Sequence, residues 1–149
     1  ANQANGTVLE FAGDKSLAPS EDWSNLMRGV VSQYLRDVPD GIGFDAAVVS
    51  TLSLGNGMGS SAALEVATAT MIEAMHSLQV DPQEKALRCH RGEHTYCSTK
   101  SGLMDQYISA CGVSGNALLI DCRPPFAAQQ VPLADPDVTF LVANSNGKH

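Results

Sequence analysis

"SLGNGMGSSAALEVATATMIEAM", Ser53 to Met75, sets three glycines within five positions against a stretch rich in Ala, Met, Leu and Glu. From Ser60 to about Leu78 there is neither Gly nor Pro, and propensity predicts one long helix. The glycines before it admit two readings. In one, Gly55 to Gly59 form a tight turn and Ser60 caps the helix. In the other, free N–H groups of the loop and of the first helical turn hold an anion, reinforced by the helix dipole. Ser60 and Ser61 would then add hydroxyls, one of them within reach of a magnesium ion.

Spacing removes two familiar phosphate motifs. A Walker A loop counted from Gly55 puts Ser60 where its second glycine belongs, and no lysine follows. Gly57, Gly59 and Ala62 fit the dinucleotide pattern G-x-G-x-x-A. The next element, however, is a second helix: Asp81 suits the cap, Pro82 the first helical position, and Glu84 would complete a capping box. No strand intervenes to carry a ribose-binding acid.

Outward from this centre, "DWSNLMRGVVSQYLRDV" repeats apolar residues at helical spacing, from Trp23 through Met27 and Val31 to Leu35. "LMDQYISACG" reads as a further helix ending at Gly112. Strands are predicted over 6–12, 44–52, 116–123 and 138–146, the last two divided by a loop containing four prolines. No repeat or linker splits the 149 residues, and 44% hydrophobic content is enough for one globular core.

A net charge of −7 argues against a general nucleic-acid or membrane-surface binder, since both need a positive field over a face. No apolar run approaches the ~20 residues of a spanning helix, and "ANQANGTVLEF" lacks the basic and apolar regions of a signal peptide. The expectation is a soluble, cytoplasmic protein with no nucleic-acid or membrane partner. Cys89, Cys97, Cys111 and Cys122 show no metal spacing and are read as reduced, buried thiols. His90 and His94 are read as packing or surface residues.

"LGNGMGSSAALEVATAT" resembles the second motif of the GHMP kinases, whose loop usually reads G-L-S-S-S-A. "GEHTYCSTKSGLMDQYISACG", "NALLIDCR", "VPLADPDV" and "VANSNGKH" are similar, in order, to the galactokinase family within that superfamily. The resemblance runs from Trp23 to His149. It implies an α/β (α+β) fold like the second domain of ribosomal protein S5, and transfer of the ATP γ-phosphate to the anomeric hydroxyl of galactose. It makes Gly55, Asn56, Gly57, Met58, Gly59, Ser60 and Ser61 the ATP phosphate loop, with Ser61 and Glu93 as Mg²⁺ ligands. It makes Asp105 the catalytic aspartate beside the substrate, Gly102 a wall of the sugar pocket, and Trp23 a neighbour of the adenine.

The residue types suit that chemistry. A sugar hydroxyl is a poor nucleophile, and a carboxylate within hydrogen-bond reach orients it and accepts its proton. Mg²⁺ prefers hard oxygen ligands and takes few from protein when phosphates supply the rest.

Several positions depart from the family pattern. Gly59 stands for the first serine, Met58 for a leucine, Ser53 for a proline, and Lys100-Ser101 for Pro-Cys. The tetrad Glu-His-Thr-Asp that grips the sugar is missing, because Tyr96 follows Glu93-His94-Thr95. The C-terminal glycine-rich motif is missing as well. Residues 1–149 are therefore expected to be a partial GHMP kinase N-terminal domain, weak or inactive alone and completed by the remainder of the kinase fold. Two alternatives remain: a non-catalytic sugar and ATP sensor, against which Ser61-Ala62 argue, and a kinase for N-acetylgalactosamine.

Overall fold

The computed structural model describes residues 8–52, 57–98, 100–135 and 137–143. Four helices run in chain order: α1 (Asn25–Tyr34), α2 (Ser60–Met75), α3 (Pro82–Tyr96) and α4 (Met104–Cys111). A two-stranded antiparallel sheet follows, β1 (Asn116–Ile120) and β2 (Ala128–Pro132), with Leu118 opposite Gln130. The fold is mixed α/β.

The helical stripe read from the sequence becomes the core. Val30, Val31 and Tyr34 of α1 meet Val66, Ala69 and Ile72 of α2 and Cys89 of α3. Full burial of a side chain such as Val or Ile is worth about 1.5–3 kcal/mol, so this cluster dominates the stability of the helical region. Tyr34 Oη donates to Glu73, and Lys85 Nζ lies 2.8 Å from the other oxygen of that carboxylate, joining three helices. A smaller cluster of Ala86, Leu103 and Tyr107 packs on Leu118, Ile120 and Phe126, seating α4 between α3 and the hairpin.

Helices α1 and α3 touch backbone to backbone at Gly29 and Gly92. A Cβ at Gly92 would sit 2.6 Å from the Gly29 carbonyl oxygen, and one at Gly29 would sit 2.6 Å from that of Gly92. Only hydrogen fits at either position. The residue after this contact is Glu93, so the crossing fixes where that carboxylate starts.

The α3 cap forms with one change. Asp81 accepts from the N–H groups of Gln83 and Glu84, with Pro82 at the first helical position. Glu84 does not reach back to complete a box; its carboxylate takes Arg88 at 3.1 Å and Arg91 at 2.8 Å instead. Helix α2 stops at Met75, before the predicted Leu78, where Ser77 enters the left-handed region.

Three predicted strands are not strands among the described residues. Segments 8–12, 44–52 and 138–143 form no β-ladder; residues 6, 7 and 144–146 lie outside the described residues. Their alternation is genuine, but a strand exists only where a neighbour takes its N–H and C=O groups. Val49, Leu141 and Val142 are 84%, 90% and 75% exposed, so no layer covers them here. Conversely, β2 arises inside the stretch read as a proline loop. It is an edge strand with Pro132 at its end, a position that proline tolerates.

No disulfide joins the four cysteines. Cys89 is buried, Cys97 and Cys111 are half-buried, and Cys122 is exposed, contrary to the expectation of four buried thiols. Among the described residues, no helix is long and apolar enough to cross a membrane.

Candidate active site

Helix α2 begins without a side-chain cap. Gly59 occupies the cap position at φ 65°, ψ 30°, a left-handed conformation that disfavours a serine. A Cβ there would lie 3.4 Å from Asp105 Oδ2. The glycine therefore turns the chain into the helix, with Asp105 packed directly against it. Ser60 and Ser61 lie inside the first turn, so Ser60 is not the cap that one reading of the sequence assigned it.

In front of this helix end lies a cavity of about 290 Å³. One wall is Gly57, Met58 and Gly59 running into Ser60, Ser61 and Ala62. Glu93 of α3, Ser101 of the α3–α4 loop, and Asp105 and Gln106 of α4 complete the lining. Uncapped helical N–H groups and two hydroxyls thus share one cavity with two carboxylates, a set of groups suited to an anion bridged by a cation.

Glu93 is 6% exposed, and its Oε2 accepts from Ser101 Oγ and from Gln106 Nε2, the latter at 2.9 Å. The same amide nitrogen donates to Glu65 Oε2 of α2 at 3.0 Å. Glu65 is fully buried, and burial pushes its carboxyl up to about 8; the Gln106 hydrogen bond opposes this and the nearby Glu93 charge adds to it. Behind the loop, Nε2 of His90 and of His94 lie 3.2 and 2.8 Å from the Ser101 carbonyl oxygen, with the rings 4.0 Å apart. Burial holds His90 below the usual histidine range. These histidines pack against the loop, as read from the sequence.

Of the residues singled out beforehand, Gly57, Met58, Gly59, Ser60, Ser61, Glu93 and Asp105 are brought together. Gly102 is exposed beside Ser101 but does not line the cavity, and Trp23 sits half-buried on the turn before α1, away from its walls. Gly55 and Asn56 lie outside the described residues. Glu65 and Gln106 were missed. Their signal was available: Glu65 interrupts the apolar stripe of α2 one turn after Ser61, and Gln106 is next to Asp105.

The donors suit Mg²⁺ in chemistry and number. Ser61 offers a hydroxyl, and Glu93 has an oxygen, Oε1, to which no described residue donates; both are hard ligands. No group of three or more His, Cys, Asp and Glu side chains arranged to hold a metal occurs among the described residues. An ion held by this pair would draw most of its ligands from phosphate and water.

The profile of the GHMP kinases N terminal domain matches residues 25–113, and the chain belongs to this family. It is a family of kinases, which suggests ATP as co-substrate. More particularly, the chain is 41% identical to the galactokinase of Homo sapiens over 137 residues and 41% identical to that of Bos taurus over 146. It is 32% identical to the galactokinase of Fusobacterium nucleatum over 149 residues. These matches cover 91%, 95% and 99% of this chain but 34%, 36% and 38% of the relatives. The chain spans about a third of the length of the curated relatives it matches.

Proposed function

We propose that this chain carries the phosphate-binding and catalytic part of a galactokinase, which transfers the γ-phosphoryl group of ATP to the anomeric hydroxyl of galactose. The observation that carries the reading is that Glu93 and Asp105, on different helices, line one cavity with the uncapped start of α2. Residues 55–61 receive the triphosphate on backbone N–H groups, with the Ser60 hydroxyl at their edge. Ser61 and Glu93 hold Mg²⁺, which when bound neutralises charge on the phosphate oxygens. Asp105 orients the sugar hydroxyl towards the phosphoryl group and accepts its proton.

Gly102, exposed at the rim, borders the sugar, and Trp23 approaches the adenine from outside the cavity. The groups that grip the remaining sugar hydroxyls are supplied by further parts of the kinase fold, residues 1–149 forming a partial N-terminal domain. The apolar segment 138–143 supports this, because Phe140, Leu141 and Val142 stand 71%, 90% and 75% exposed and no described residue covers them.

A coupled assay for ADP release, run on the complete polypeptide that carries these residues with galactose, N-acetylgalactosamine and no sugar, tests the proposal. Turnover should appear with galactose and ATP and depend on Mg²⁺. Turnover with N-acetylgalactosamine alone would reassign the substrate. Sugar-dependent nucleotide binding without turnover would replace the enzyme with a sensor.

A further inference from the structure

We infer that Gln106 and Ser101 are positioning residues for Glu93: together they engage one oxygen of its carboxylate and leave the other turned to the cavity. This rests on the kinase reading above and extends it to residues which that reading does not use. The geometry is specific. Gln106 is 1% exposed, and its single amide nitrogen donates one hydrogen to Glu65 at 3.0 Å and one to Glu93 at 2.9 Å, spanning α2 and α3 from α4. Both donors to Glu93, the Gln106 amide and the Ser101 hydroxyl, converge on Oε2. Among the described residues nothing donates to Oε1.

A glutamate reaches its carboxylate through two methylenes and would otherwise exchange rotamers and the roles of its oxygens. Two donors on one oxygen remove that freedom, which is how groups behind a ligand tune a metal site. The supports are themselves fixed. The Ser101 carbonyl meets His90 and His94, so its hydroxyl is presented from an anchored backbone. The Gln106 amide is anchored at the back by Glu65, which is fully buried. Glu65 Oε1 and Gln106 Oε1 are buried without a partner.

Without the amide, Glu93 and Glu65 would lose the donor they share, and Glu93 would be held by the Ser101 hydroxyl alone. Without the Ser101 hydroxyl, Glu93 would keep one donor and a looser orientation. Both changes act on the metal and on turnover, not on nucleotide contacts made by the backbone of the α2 loop.

The test uses the complete polypeptide with Mn²⁺ as probe. Mn²⁺ affinity with saturating ADP is read by electron paramagnetic resonance, ADP affinity in EDTA by calorimetry, and kcat and KM for galactose separately. Gln106→Met and Ser101→Ala should each weaken Mn²⁺ binding by about 10- to 100-fold, lower kcat, and leave metal-free ADP affinity and the galactose KM unchanged. Ser101→Thr, which keeps the hydroxyl, should recover the Mn²⁺ affinity lost in Ser101→Ala. Unaltered Mn²⁺ affinity in Ser101→Ala, the milder change, would overturn the inference while the kinase reading stands. So would a parallel loss of metal-free ADP affinity, the mark of a merely structural role. Absence of Mn²⁺–ADP binding in the unsubstituted protein would remove the kinase reading, and this inference with it.

Discussion

The helices and the extended segments 44–52 and 138–143 are both rich in apolar residues, the segments more so, yet they meet different ends. Helices α1 to α4 satisfy their own backbone groups and bury a common core around Tyr34, Ile72 and Cys89. Segments 44–52 and 138–143 are more apolar still, but Val49, Phe140 and Leu141 stand 84%, 71% and 90% exposed. A helix is complete within one stretch of chain, whereas a strand borrows half its hydrogen bonds from a neighbour. The cavity is lined wholly by the helices and the loops at their ends, and the hairpin contributes only from behind, by seating α4.

That contrast is tested hardest at the site itself. Asp105→Asn keeps the shape and hydrogen-bonding reach of the side chain but removes the proton acceptor. In the complete polypeptide it should lower kcat by about 10²- to 10⁴-fold with nucleotide affinity retained, measured by steady-state kinetics and calorimetry. Loss of nucleotide affinity in the same proportion would mean that Asp105 serves the loop and not the reaction.

Glu65 offers a second test through pH. Its carboxyl is raised from an ordinary 4.5 to about 8, chiefly by burial, so the folded state holds a proton that the unfolded chain gives up much earlier. The resulting stability is full below about 4.5, declines as pH rises from there, and is gone above about 8. Glu65→Gln stays neutral throughout and still accepts from Gln106. Urea unfolding in EDTA between those limits should show a flatter pH dependence in the variant, and higher stability than the unsubstituted protein at pH 8. An unchanged slope would mean that Glu65 is ionised at neutral pH despite its burial.

Helix packing comes next. Gly92→Ala puts a methyl against the α1 backbone, which cannot rotate aside as a side chain could. It should cost about 1–3 kcal/mol in urea unfolding, and Gly29→Ala a similar amount. Because both strain one crossing, the double variant should lose less than the sum. Full additivity would show that α1 and α3 respond independently and do not share this contact.

What was legible beforehand follows the same division. The stripe in α1, the Asp81 cap of α3 and the Gly59–Ser61 helix start are local patterns, and each was readable to within a few residues. Glu93 and Asp105 were identified through resemblance. That they share a cavity depends on the α1–α3 crossing and the seating of α4, which no spacing encodes. Gln106 and Glu65 escaped notice although Glu65 breaks the apolar stripe of α2, because their pairing joins residues 41 positions apart. The strand predicted over 116–123 forms as β1, and the other three were misjudged for a related reason. Alternation states which face a strand would bury, but not whether anything lies opposite, and β2 acquires its partner only because the chain turns back after Asp121.

The smallest expected effect probes that last point. Leu141 is 90% exposed, so Leu141→Ser removes no buried surface from residues 1–149. Their unfolding free energy should shift by less than about 0.5 kcal/mol, as for other surface substitutions away from caps and cores. The same change in the complete polypeptide reads a different quantity. If further parts of the kinase fold cover the extended segment, the leucine is buried there and its loss should cost about 2–5 kcal/mol. A null result in both settings would leave segment 138–143 a surface strand edge with no role in the core. A large loss in residues 1–149 alone would erase the contrast, since the extended side would then be packed as tightly as the helices.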